Sequence, residues 1–409
     1  MCRTIGDESM SLQVEGEGVV AEQLAAFGAN LNAEGAWFHP SLAVRCADGA
    51  LSMVSQERFT KRRSLLRIPV ALMPMVTSFD WSIVAEPDGP HLSATPRDNV
   101  SDTHHDIMTA MIDLYNACGK LGHWQKTSPW AALRNHPDVL ALLFQARHHR
   151  PKAQAYRQFS QEGDYNTLLI NTFLSSRTFN LSPTVRRKAG HGEVESGAEV
   201  ILPVIDYFNH HPSAEGFSIH DTPSPVSMRV FGAPDPDSDE MFVRYNDYDP
   251  LDTYLFYGFV DVTVPWLSSI PLSLTVGNKS LNVEAKGGSV KGALPPRLRD
   301  LRMFLPQITG QDNFGLTLNK LIFPNARAPR ALQRVLAHLA SMVGVSQAQL
   351  RREVARLEEE VLVQNEQYWK ELAHTAATLA ETHPVHVLCR YAIDHLDAYR
   401  QCRPDLTDV

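Results

Sequence analysis

Two apolar stripes at helical spacing set the character of the last third of this chain. Leu332, Val335, Leu336, Leu339 and Val343 fall on one helix face and stop at Gly344, the position expected of a C-terminal cap. Ser346 and Gln349 then form a capping box ahead of a second stripe, Leu350, Val354, Leu357 and Val361. A face of that kind must be covered, so this third reads as a helical bundle. It is preceded by a hairpin signal beyond about residue 265, the Gly277-Asn278 turn in LTVGNKSLNVEA.

Upstream the pattern differs. Residues 36–76 read as short strands, AWFHPSLAVR, LSMVS and SLLRIPVAL, with an Asp48-Gly49 turn after the first. From about Asp102 to Ile170 the spacing is helical, through Ile107, Met111 and Leu114 and then Val139 to Phe144. Apolar, β-branched segments return at Ala198–Tyr207 and Met241–Tyr245, separated by a polar, Pro-rich stretch, PSPVSMRVFGAPDPDSDE, that reads as loop. The order β, helical, β, helical is that of an α+β protein, and 409 residues suggest two or three packed units. The boundaries expected are an N-terminal extension over 1–35, a domain over 36–265 with a helical insert at about 95–170, and a mainly helical domain over 266–409.

Charge narrows the partners. Thirty-eight basic against 46 acidic residues give a net charge of −8, so no global field draws the chain to phosphate backbones or anionic lipid. The triplets Lys61-Arg62-Arg63 and Arg186-Arg187-Lys188 read as solvated turn charges, and neither a nucleic-acid nor a membrane partner is expected. Five widely spaced cysteines without a C-x-x-C pair fit a reducing compartment. With no signal-like N-terminus and no spanning apolar run, the expected location is the cytoplasm.

Several chemistries lack an anchor. There is no G-x-x-x-x-G-K-[ST], H-E-x-x-H or G-x-S-x-G, and Gly16-x-Gly18 lacks a third glycine. The pairs His104-His105, His148-His149 and His210-His211 point to opposite faces of a strand, or diverge by about 100° on a helix, so no metal site is expected from them.

Three stretches in order carry a resemblance: NTFLSSRTFN, ILPVIDYFNHH and YNDYDPLDTYLFYGFVD. They resemble the S-R-x-F, P-x-x-D-x-x-N-H and closing Y-G-F segments of SET-domain protein lysine methyltransferases, in the branch of the Rubisco large-subunit enzymes. That branch also opens with strands ending in a motif like LLRIPVALMP, places a helical insert inside the SET domain and ends in a helical substrate-binding domain. The resemblance implies a SET-domain fold of short sheets, S-adenosyl-L-methionine as cofactor, and a partner that is a protein bearing a lysine or a small amine.

It also implies roles. Asn209 and His210 correspond to a pair that holds the adenine and the amino-acid part of the cofactor, and the alternative is a pair tying two loops together. Arg177, after Ser176, corresponds to an arginine facing the cofactor carboxylate, a task suited to a permanently charged fork. Asp206 corresponds to the acid of the D-x-x-N-H motif and could equally cap a turn. Tyr257 corresponds to the tyrosine closing the methyl-transfer channel, with Tyr245 as second candidate and core packing the alternative for both, more so for Tyr254. Gly49, Ala50 and Leu51 stand where the family has a G-x-G turn, here with a single glycine. Asp249-Pro250 and Asp252 replace the family's S-N and glutamate. Three functions follow: a protein lysine methyltransferase, the same scaffold acting on a small amine, or a SET-like module without catalysis.

Overall fold

The computed structural model describes residues 11–47, 49–57, 59, 63–191, 199–221, 224–232, 238–288, 290 and 293–405. The chain is α+β and divides into two units, Met1–Lys126 with Asp164–Asn246, and Thr127–Gly163 with Asp247–Val409. The helices expected as one insert are thus shared out. Asp102–Ala117 and Tyr165–Leu174 belong to the first unit, and Pro137–Arg147 and Pro151–Glu162 to the second.

In the first unit, Leu42–Ala47 pairs antiparallel with Ala50–Ser55, Ala47 opposite Ala50. Only two residues connect them, a loop that needs positive φ, and Gly49 supplies φ +75; Asp48 lies outside the described residues. Gln13–Glu15 joins the same sheet parallel to Leu42–Ala47. A parallel neighbour requires a crossover, and the helix Val19–Ala33 provides it, burying Leu24, Phe27 and Leu31. Residues expected as an N-terminal extension are therefore part of the fold. Gly28 of that helix lies so close to Leu12 that an added Cβ would sit 2.6 Å from its Cβ.

A four-stranded sheet runs in the order Phe217–His220, Ser227–Gly232, Arg63–Pro69, Trp37–Phe38. Leu65, Leu66, Ile68, Met228 and Val230 are all fully buried, each contributing about 1.5–3 kcal/mol of hydrophobic stabilisation. Ser227–Gly232 corrects the reading of PSPVSMRVFGAPDPDSDE as loop: Met228 and Val230 alternate into the core even though the flanks are rich in Pro and Asp. The segment Ala198–Tyr207 is also less regular than expected. After Glu199–Ile201 the strand gives way to a single 3-10 turn, Ile205–Tyr207, and Ala198 lies outside the described residues.

The second unit is not a helical bundle alone. Leu272–Val276 and Lys279–Val283 form the hairpin expected at Gly277, where φ is +62. Gly315–Leu318 then pairs parallel to Lys279–Val283, with Ile308–Gln311 at the edge. The domain expected as mainly helical over 266–409 thus opens with a four-stranded sheet. The two apolar stripes do form helices, Ala331–Met342 and Gln347–Thr375, joined by Pro384–Cys402. Ser346 Oγ meets the Gln349 side chain at 2.8 Å, and Gly344 at φ +97 follows the first helix.

An ion cluster lies inside the second unit. Arg147, 1% exposed, donates from Nη2 to Asp249 (3.0 Å) and from Nε to Asp252 (3.1 Å), both aspartates being buried. Arg150 donates to the other Asp252 oxygen at 2.7 Å, and the Ser268 N–H donates to Asp249 at 2.8 Å. Asp249 also caps the helix Pro250–Tyr257 by accepting from the Asp252 N–H. Asp249 and Asp252 thus have structural work in this chain.

Candidate binding site in the first unit

The site grows from helix ends. Tyr165–Leu174 stops at Ser175, and the next turn delivers Ser176 and Arg177. Ser176 Oγ donates back to the Phe173 carbonyl at 2.6 Å and accepts from Arg177 Nη1 at 2.6 Å. The guanidinium lies over the Phe173 ring at 4.1 Å and 5.5 Å from the centre of Tyr115, whose own ring meets Phe173 edge-on. Aromatic faces attract a desolvated cation, so the fork is held without being fully paired.

Its counter-charge is Asp206. Arg177 Nε is 3.5 Å from Asp206 Oδ2, yet that buried nitrogen makes no hydrogen bond. The buried Tyr115 hydroxyl lies beside the same carboxyl without a bond of good geometry. Asp206 is presented by the turn Ile205–Tyr207, which follows Val204 at φ +62, ψ −35. A buried β-branched residue in that region costs on the order of 1–3 kcal/mol, and such strain persists only where surrounding contacts fix it. Here the Ile201 N–H bond to Pro74 and the Tyr207 N–H bond to Val204 hold the turn.

Burial raises the Asp206 carboxyl above its ordinary range, and Arg177, Lys120 and Tyr115 offset this only in part. The folded state then binds that proton more tightly than the unfolded chain does. The stability involved is full below about pH 4 and is lost as pH rises through the folded value. Asp206→Asn is therefore expected to melt above the native protein at neutral pH and to lose that advantage below about pH 4, as calorimetry would read. A lower melting temperature at neutral pH would contradict this.

Asn209 and His210 follow directly and pair in parallel with Phe242–Val243. Asn209 is exposed and donates to Glu240 at 2.6 Å, while His210 Nδ1 accepts the Tyr245 N–H at 3.1 Å. The rings of His210 and Tyr245 are 5.1 Å apart, and the Tyr245 hydroxyl donates to the Phe208 carbonyl at 2.7 Å. Burial pushes the Tyr245 phenol far above its usual value, with Asp206 adding to the rise. This tyrosine is tied to its own unit by both ends.

The Gly49–Leu51 segment leads into a strand that meets the residues just before Phe242–Val243. Its strand bridges Glu240 through Val54, and the Met241 N–H donates to Met53 at 2.7 Å. Gly49 and Ala50 are exposed and Leu51 is buried. In the first unit Ser176, Arg177 and Asp206 adjoin, Tyr245 and His210 pack against each other, Asn209 reaches Glu240, and Gly49, Ala50 and Leu51 lead into the strand whose Val54 bridges Glu240. Lys120 joins them: burial first, then Arg177, holds its ammonium below the ordinary lysine range, while Asp206 acts the other way. No motif pointed to it, and only its neighbours in space reveal it.

Tyr257 belongs to the second unit. It ends the helix Pro250–Tyr257, and Gly258 at φ +78 continues as the left-handed cap residue. A Cβ on Gly258 would lie 2.9 Å from the Thr127 carbonyl, so the glycine of Y-G-F has a steric reason of its own. Tyr257 is half-buried among Tyr248, Phe256 and Phe259, with ring centres about 6.0–6.1 Å away, whereas Tyr254 is 1% exposed.

No family model matches the chain, and no curated protein matches it. Among solved structures it is similar to the SET domain of LSMT bound to lysine and AdoHcy, with a TM-score of 0.39 at 10% identity over 96% of this chain and 94% of that one. It is also similar to Rubisco LSMT bound to AdoMet, with a TM-score of 0.37 at 11% identity over 96% and 94%. At these scores the likeness decides nothing about the site. No described helix is long and apolar enough to cross a membrane.

Proposed function

We propose that this protein is an S-adenosylmethionine-dependent N-methyltransferase of the SET type, acting on a lysine side chain of a protein, with its cofactor site in the first unit. One observation carries the reading. The turns carrying Arg177 and Asp206 adjoin at a guanidinium that is stacked on Phe173 and has a buried Nε without a hydrogen bond. A buried donor left in that state is expected to be completed by an acceptor from outside the chain. A carboxylate fits Arg177, an ammonium fits Asp206, and the exposed Gly49–Ala50 backbone and Asn209 offer polar contacts to an adenosine.

When bound, S-adenosylmethionine supplies a methyl group on a sulfonium. The chain's part is then to orient the acceptor amine and keep it dry. An unperturbed lysine titrates near 10.4, so the amine must be desolvated to lose its proton before it attacks. The proposal gives Tyr257 the task of holding the neutral amine in line, which lowers the barrier by orientation rather than by proton transfer.

The test is to incubate the full chain with labelled cofactor and a host-cell extract. Label in one or a few protein bands is the expected result. Label confined to the low-mass fraction would replace the protein substrate with a small amine, and no label in either fraction while cofactor still binds would indicate a module without catalysis.

A further inference from the structure

The second unit holds a cavity of about 390 Å³ that the proposed methyl transfer does not use. Its walls are the 3-10 turn Pro296–Leu301 with the segment that follows, the start of the strand Ile308–Gln311, and the last turns of the helix Ala331–Met342. Leu298, Leu305 and Leu339 form a buried lining, and Met342, 40% exposed, stands at the mouth. These walls are braced from behind. The Leu298 N–H donates to Pro295 and the Leu305 N–H to Leu301, both at 2.9 Å. The Gln307 N–H donates to the buried Asn319 side chain at 2.7 Å, and the Asn319 N–H returns to the Gln307 carbonyl at 3.0 Å. Met303 and Phe304 pack on Val264, Trp266 and Ile322. The cavity is therefore preformed, as ligand sites usually are.

Its lining selects by chemistry. Among the described residues that line it, Gln307 and His338 are the polar ones, and there is no carboxylate, lysine or arginine. Arg334, one turn before His338 on the same row of the helix, donates twice to Asp300 of the 3-10 turn, from Nη2 to Oδ1 at 3.2 Å and from Nη1 to Oδ2. That pair ties the helix to the turn, and its two charges offset each other. A charged ligand group would thus be desolvated among apolar side chains without an opposite charge in the lining, which is costly. Size points the same way. A protein partner needs about 800 Å² on each side, far more wall than so small a cavity offers.

We propose that this cavity binds an uncharged apolar molecule of roughly a dozen non-hydrogen atoms that carries one hydrogen-bonding group. Its ring or chain lies among Leu298, Leu305 and Leu339, and its polar group meets Gln307 or His338. An aromatic alcohol has this character, since its hydroxyl can both donate and accept and so suits an amide or either imidazole tautomer. The site goes beyond the function proposed above and does not depend on it, because none of its residues has a part in binding the cofactor or the amine.

The experiment is fluorescence titration of the full chain with 2-naphthol, a neutral probe of this size, beside naphthalene and 2-naphthoate. Saturable binding of 2-naphthol at one site is expected, with a Kd below about 1 mM. Naphthalene, which lacks the hydroxyl, should bind about 3-fold or more weakly, and the 2-naphthoate anion about 10-fold or more weakly. Met342→Trp sets an indole across the mouth and should weaken 2-naphthol about 10-fold or more. Val387→Trp, at a 44% exposed position on the helix Pro384–Cys402, should leave it unchanged. Both positions are exposed, so neither change loads the core. No saturation with the native chain, or equal affinity of the two variants, would overturn the site. Naphthalene binding as well as 2-naphthol would overturn the polar anchor, and tighter binding of 2-naphthoate would overturn the neutral class. A native chain that sediments as a dimer, is split by Met342→Trp and ignores 2-naphthol would give the cavity to a second copy instead.

Discussion

Arg147→Met is expected to lower the unfolding free energy by about 3–5 kcal/mol, the largest stability loss we foresee for a single substitution. The variant keeps the side-chain volume and removes the cation that Asp249 and Asp252 share. Asp252 would keep Arg150, but Asp249 is 0% exposed and would retain only the backbone donors of Ser268 and Asp252. A buried carboxylate that has lost its one cationic partner of three either stays charged at high cost or takes up a proton. Urea unfolding at neutral pH reads the change, and a loss under about 1 kcal/mol would show that the cluster is not holding the second unit together. Because the helix capped by Asp249 ends in Tyr257, the same variant is expected to lose activity through that helix as well.

Tyr257→Phe should reduce turnover by about 100-fold or more while leaving cofactor affinity nearly unchanged. A positioned hydroxyl that acts mainly in the transition state has that signature, and losses of this order follow removal of one preorganised donor. The phenylalanine keeps the ring packing against Tyr248, Phe256 and Phe259. Equal loss of turnover and binding would assign the residue to packing. A silent Tyr257→Phe beside a damaging Tyr245→Phe would transfer the role to Tyr245, whose hydroxyl already donates to Phe208.

The parts of this chain legible in its sequence are those set by local rules. The stripes through Leu332 and Leu350, the Gly277 turn and the two-residue turn at Gly49 each depend on residues a few positions apart. The helix Val19–Ala33 obeys the same rule, with Leu24, Phe27 and Leu31 at helical spacing, and it goes unread only when the segment is set aside as an extension. The hairpin Phe79–Glu86 with Gly89–Pro96 likewise has its Pro87-Asp88 turn, followed by Gly89, in plain view. The four-stranded sheet at the start of the second unit's C-terminal part is different. Gly315–Leu318 reaches Lys279–Val283 over more than thirty residues, and Gly315 fits there because a Cβ would lie 1.9 Å from the Ser280 carbonyl. Nothing local announces such a pairing.

The same division runs through the site. Ser176, Arg177, Asp206, Asn209 and His210 stand out because they form motifs in order. Lys120 has no motif, and its relevance comes from the space around Arg177. Asp249 and Asp252 read as departures from a pattern, and their reason became visible only with Arg147, about a hundred positions away. Charge pairing at long separation leaves no periodic trace in sequence.

The central claim is that the first unit binds S-adenosylmethionine through Arg177. Calorimetric titration of the native chain and of Arg177→Ala with S-adenosylhomocysteine tests it directly. The account predicts saturable binding by the native protein, weakened by about 1.5–3 kcal/mol in the variant through loss of the charge-assisted contact. No heat of binding from the native protein at millimolar ligand, or equal affinity in both proteins, would contradict it.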